Sequence, residues 1–117
     1  MFEAALQELV AETGAELALF CDYEGESIAV VAPGCDPFEA RVLGAQQAPL
    51  VLQLQRVARQ SGQSERLSLS CVAEQRVLLI EALPGGYYLV AALAPSPTWQ
   101  RAAGPLRRLA ARFAAEL

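Results

Sequence analysis

The spacing of apolar positions changes period several times along the chain, and each change marks an element. Phe2, Leu6, Leu9, Val10 and Thr13 fall on one face of a helix, with Glu3, Glu8 and Glu12 off it, and Gly14 stands just past its expected end. Residues 15–22 and 27–32 then read as two strands. In the first, Leu17, Leu19 and Cys21 alternate with Ala18 and Phe20, so both faces are apolar and the strand is expected to be covered on both sides. Asp22, Tyr23, Glu24 and Gly25 form an acidic turn between them, in which Gly25 suits a positive φ.

Asp36, Pro37 and Glu39 announce the next helix: a cap, a proline for the first position and the partner of a capping box. The pattern predicts one long helix to about Ser61, ended by Gly62. It carries two apolar stripes, one of Leu43, Leu50, Leu54 and Val57, the other of Phe38, Val42, Ala45 and Leu52. A helix lying on a sheet needs only one stripe. The second asks for another helix, and a chain this small has none to spare. Pro49 is expected to bend this helix or remove one of its hydrogen bonds.

Strict alternation returns over residues 65–73, where Leu67, Leu69 and Cys71 oppose Arg66, Ser68 and Ser70, the pattern of an edge strand. Residues 76–83 and 87–94 are apolar on both faces and read as central strands; of Tyr87 and Tyr88, one is expected in the core and the other half-exposed. Ser96-Pro97 opens a last helix, with Leu106, Leu109, Phe113 and Leu117 as its apolar stripe and Arg101, Arg107, Arg108 and Arg112 off it. Gly104-Pro105 is its weak point. The order is helix, two strands, helix, three strands, helix, in one domain spanning 1–117.

Composition sharpens this. The chain is 54% hydrophobic with a mean hydropathy of +0.28, more apolar surface than a small domain buries alone. No stretch approaches the ~18 apolar residues of a membrane helix, and Met1-Phe2-Glu3 does not start a secretory signal. A cytoplasmic oligomer without membrane insertion is expected. The net charge of −4 gives no reason to expect nucleic acid. Cys21, Cys35 and Cys71 are widely spaced and read as free thiols, with Cys21 and Cys71 in the core. Histidine, lysine and asparagine are absent, which removes the Ser-His-Asp and Cys-His pairs, imidazole metal ligands, the P-loop lysine and lysine nucleophiles. The expectation is a chain that is not an enzyme, with no catalytic, metal or cofactor site. Asp22, Glu24 and Glu26 lack the further ligands of a calcium loop and read as a solvated turn.

The segment order, the passage through Gly14, the hairpin Asp22–Val31 and the ending Tyr87–Pro97 before an arginine-rich helix together resemble the roadblock / dynein light chain family, related in architecture to profilin-like and longin domains. The resemblance covers nearly the whole chain. It implies an α+β fold: a five-stranded antiparallel sheet between one long helix on one face and two helices on the other. Pro49 and Pro105, inside expected helices, depart from the smooth family pattern. The resemblance also implies a dimer in which the middle helices pack together and the third strands meet edge to edge. Phe38, Val42, Ala45, Pro49 and Leu52, with Arg66, Ser68 and Ser70, are the expected seam. Family members are noncatalytic scaffolds; many bind Ras-like small GTPases, and bacterial Mgl-type members regulate a polarity GTPase.

The function expected from this is a noncatalytic, dimeric scaffold or regulator in a bacterium, acting in polarity, motility or signalling. Its partners would be a second copy or a paralogous roadblock protein, and a Ras-like small GTPase or an associated regulator. Trp99 reads either as an anchor for a partner or as a lid over the core. Arg101, Arg108 and Arg112 either meet an acidic partner or pair with Glu8 and Glu12 of the first helix. The alternative function is a small-ligand sensor, which requires a pocket with convergent polar groups.

Overall fold

The structure, a computed structural model, describes residues 1–117. Its elements are α1 (Phe2–Thr13), β1 (Leu17–Cys21), β2 (Ser27–Val31), α2 (Pro37–Ala45), α3 (Ala48–Gln60), β3 (Leu67–Val72), β4 (Val77–Ala82), β5 (Tyr88–Leu93) and α4 (Ala103–Glu116), with a short 3-10 turn at Trp99–Ala102. The five strands form one antiparallel sheet in the order β2-β1-β5-β4-β3. The fold is therefore the expected α+β sandwich, with α1 and α4 on one face and the middle helices on the other. Every residue of β1 and β5 is buried, whereas β3 is half-buried or exposed throughout, as befits an edge.

Local chemistry sets the boundaries. Gly14, at φ 74°, ends α1 by returning its N–H to the Val10 carbonyl at 2.8 Å. Asp36 caps α2 by accepting from the Phe38 N–H at 3.1 Å. The single long middle helix is delivered as two segments. Pro49 has no N–H for the Ala45 carbonyl, so α2 stops at Ala45, Gln46 and Gln47 bridge in right-handed conformation, and Pro49 becomes the second residue of α3, where a free N–H is normal. The last helix begins later than Ser96-Pro97 suggested. Ser96 Oγ caps only a turn, accepting from the Thr98 N–H at 3.1 Å, and α4 starts at Ala103 after the 3-10 turn. Pro105 thus falls in the first turn of α4 and costs no hydrogen bond.

The two faces of the sheet hold separate cores. Under α1 and α4, Phe2, Phe20 and Phe113 form a ring cluster with centroids 4.8–4.9 Å apart, surrounded by Leu6, Leu9, Leu89, Leu106 and Leu109. Under α2 and α3, Leu17, Leu19, Val51, Ile80 and Val90 pack with Tyr88 and small helix residues.

Three expectations about side chains need correction. Neither apolar stripe of the middle helix forms its buried row, although Leu43 packs at the edge of that core. The buried row is Ala40, Gly44, Ala48, Val51, Gln55 and Ala58, while Leu50 and Val57 of the stripe expected there are exposed. Small residues allow a close approach that leucines would prevent: a Cβ on Gly44 would stand 3.0 Å from Leu19 Cδ2. Cys71 is exposed rather than core, because β3 runs out beyond the cover of any helix. Finally, β4 is not apolar on both faces, since Glu81 is buried on the α4 side.

Candidate functional site

The acidic turn is occupied with its own geometry. Asp22 Oδ1 accepts from the Glu24 and Glu26 N–H groups at 2.9 and 3.0 Å, and Gly25 takes φ 87° directly beneath Ala45. Tyr88 is the core tyrosine and Tyr87 the half-buried one. The Tyr88 hydroxyl donates to the Gly44 carbonyl at 2.7 Å, tying β5 to α2. Burial, and then the neighbouring Cys21, raises its pKa above the ordinary phenol value; burial pushes the Cys21 thiol up to about 11. Gln55, the one polar residue of the buried helix row, donates to the carbonyls of Glu65 and Leu83 at 3.0 and 2.8 Å and so pins α3 to the start of β3 and the end of β4. Sequence periodicity gave Gln55 no role; its signal was a lone polar residue at a core position.

The middle helices present apolar side chains outward on two separate flanks. Phe38, Val42, Ala45, Pro49 and Leu52 are all exposed, Phe38 by 68%. This row runs beside the β1–β2 hairpin: Val42 and Ala45 line a groove with Gly25 and Glu26, and Leu52 lies over Gly86 next to Tyr23. The second flank lies toward the β3 edge. Leu54 and Val57 line a groove with Arg66 and Leu67 at the start of the β3 edge. Phe38, Val42, Ala45, Pro49 and Leu52 stand on the hairpin side, and Arg66, Ser68 and Ser70 stand on β3, with Ser68 and Ser70 projecting to the α4 side of the sheet.

The arginines off the apolar stripe of the last helix divide as well. Arg108 Nη2 donates to Glu12 Oε1 at 3.3 Å, a pair between exposed side chains. Arg112 lines a shallow groove with Glu8, and Arg101 lines another with Glu12 and Thr13. Trp99 is half-buried, packed against the α4-side core and forming the wall of a groove beside β3. Its floor holds Glu81, which the sequence reading missed although a single acid in the run Val77–Ala82 marked it. Glu81 pairs with Arg107 at 3.9 Å, and burial raises its carboxyl above the usual range against the pull of the Ser68 hydroxyl and of Arg107.

No helix of the chain is long and apolar enough to cross a membrane. No family model matches the sequence, and no curated protein matches it. Solved structures do match its shape. Myxococcus xanthus MglB superposes with a TM-score of 0.78 at 14% identity, over 97% of this chain and 91% of that one. The gliding protein MglB of Thermus thermophilus gives 0.68 at 24% identity, over 93% and 87%. A Roadblock/LC7 domain from Streptomyces avermitilis gives 0.78 at 15% identity, over 94% and 92%. At these identities the likeness is one of architecture, and with the sheet order and helix layers described above it establishes that this chain has a roadblock-type fold.

Proposed function

We propose that the protein is a noncatalytic scaffold or regulator that self-associates and binds a Ras-like small GTPase or a member of its regulatory complex, in the manner of Mgl-type proteins. The observation that carries this is the pair of outward apolar flanks on α2 and α3, one of them continuous with the open β3 edge. An unpaired edge strand is a template for pairing. Leu50 and Val57, 43% and 51% exposed, each contribute about 1 kcal/mol when that remaining surface is buried. The β3 flank is thus assigned to a second copy or a paralogous roadblock chain. The hairpin-side row from Phe38 to Leu52, which the family resemblance placed in the dimer seam, is in this reading the surface for the GTPase-class partner.

The experiment is a pair of charge insertions read by light scattering and by capture from the native cytosol. Val57→Arg is expected to convert a dimer at micromolar concentration to a particle of 12.5 kDa. Val42→Arg is expected to keep the dimer mass and lose capture of a small GTPase. A wild-type chain that is monomeric at that concentration sinks the assembly reading. A Val42→Arg variant that still captures the GTPase sinks the assignment of the hairpin side.

A further inference from the structure

The groove between β3 and α4 is separate from both apolar flanks and lies on the other face of the sheet. It encloses about 290 Å³. Helix α4 rests on β4 and β5 and stops short of β3, so the face of β3 that carries Ser68 and Ser70 is left as the groove's outer floor. Glu81 is cross-strand from Ser68 and forms the inner floor, its side chain only 7% exposed. A carboxylate this buried ordinarily accepts hydrogen bonds. The Ser68 hydroxyl is near enough to help hold its charge. Its one cation contact is loose: Arg107 Nε stands 3.9 Å from Oε2 on a side chain that is 62% exposed. Trp99 supplies an aromatic wall, and Leu79 and Leu106 close the apolar back.

We propose that this groove is a binding site for a cationic group of side-chain size, an alkylammonium or guanidinium, with Glu81 as its counter-ion and hydrogen-bond acceptor and Trp99 as the wall against which it lies. A largely buried carboxylate whose only cation contact is a 3.9 Å approach from a rim arginine gains more from a directly seated charged N–H than an exposed carboxylate does, and an aromatic side chain beside it favours the same charge. The Ser68 and Ser70 hydroxyls have acceptor capacity for the remaining N–H groups. Arg107 and Arg66 are the charged groups facing Glu81 from the neighbouring helix and strand; Arg107 sits on the exposed rim, where it can turn to solvent and yield the carboxylate to the incoming cation. The groove uses no side chain of α2 or α3 but shares the β3 edge with the proposed dimer, so the titration is made on wild type and on Val57→Arg alike.

Trp99 is the only tryptophan, so its fluorescence reports the site directly. The protein is titrated at constant ionic strength with agmatine, with a capped Gly-Arg-Gly peptide, with the neutral capped glycine peptide and with acetate. A saturable change with agmatine or the arginine peptide, absent with the neutral peptide and acetate, is expected. Agmatine alone binding assigns a free amine; the peptide alone binding assigns a side chain of a partner protein. Glu81→Gln is expected to weaken binding roughly tenfold, the loss of one charge-assisted contact. Arg107→Ala is expected to tighten it, because a competing internal cation is gone. No saturable change with either cation, unchanged binding in Glu81→Gln, or weaker binding in Arg107→Ala would overturn the proposal. Because the last variant alters an exposed rim residue, it decides the matter even where Glu81→Gln perturbs folding.

Discussion

The two helical layers of this protein are built inside out relative to each other. Helices α1 and α4 place their large residues inward, with Phe2, Phe113, Leu6, Leu106 and Leu109 against the sheet, and turn Glu8, Glu12, Arg108 and Arg112 to solvent. Helices α2 and α3 place mostly small residues inward, with Ala40, Gly44, Ala48 and Ala58 beside Val51 and Gln55, and carry Phe38, Val42, Leu50, Leu52 and Val57 outside. The first layer stores its apolar free energy in the fold. The second leaves much of it on the surface, where only another chain can bury it. The small inward residues are what make this possible, since the backbone of α2 comes close enough for the Tyr88 hydroxyl to reach the Gly44 carbonyl.

The contrast is sharpest in two phenylalanines. Phe113 is 2% exposed and Phe38 is 68% exposed. Phe113→Ala is expected to cost about 3–5 kcal/mol in urea unfolding, through the cavity left among the aromatic rings. Phe38→Ala is expected to leave the stability of the isolated chain within about 0.5 kcal/mol. Equal losses for the two variants would break the comparison.

Gly44→Ala tests the close approach of the second layer. Its Cβ would meet Leu19 Cδ2 at 3.0 Å and Cys21 Sγ at 3.3 Å, and an overpacking cost of about 1–3 kcal/mol, offset by the gain of about 1 kcal/mol from removing a helical glycine, leaves an expected net loss of up to about 2 kcal/mol. A gain of a full ~1 kcal/mol would show that Leu19 and α2 accommodate the methyl at no cost.

A further effect is alkaline, absent at neutral pH, and confined to the same layer. Cys21 is raised from 9.0 to about 11, and Tyr88 is raised as well, both chiefly by burial. An acid whose folded pKa is raised is favoured by folding in its protonated form, so this contribution is intact below about pH 9 and lost as the pH climbs through about 11. The urea midpoint is expected to fall across that window, and Cys21→Ala to shallow the fall. A midpoint that stays flat from pH 8 to 11 would argue that Cys21 is not held as a neutral thiol. Under native conditions exposed Cys71 is expected to react with a thiol reagent well before buried Cys21.

Much of the fold was legible because its signals are local. Gly14, Asp36-Pro37 and the alternation of Leu67 to Ser70 each act within a few residues, and each marks a real boundary. The less legible features depend on what lies opposite. The two stripes of the middle helix looked like one inward and one outward face, because leucines normally outrank alanines as core residues. The reverse arrangement required knowing that Leu19 and Tyr88 already fill the space beneath. Cys71 looked buried by the parity of its strand, but parity assigns a face and not a cover. Glu81 and Gln55 were each visible as a polar residue at an apolar position. Yet the partners of Gln55 lie 10 and 28 residues along the chain, and Glu81 meets Arg107 of another element, so their roles had no local signature.

By itself, the sequence determined the element order, the strand edges and centres, and the excess of apolar surface on the middle helix, because periodicity, caps and turn residues act over short range. Only the tertiary structure decided that the excess splits between two grooves, one beside the β1–β2 hairpin and one at the β3 edge, and that a buried carboxylate and the single tryptophan share a groove beside β3. Those arrangements depend on which helix row the sheet accepts and on where α4 stops along it. Both are settled by packing between elements distant in the chain.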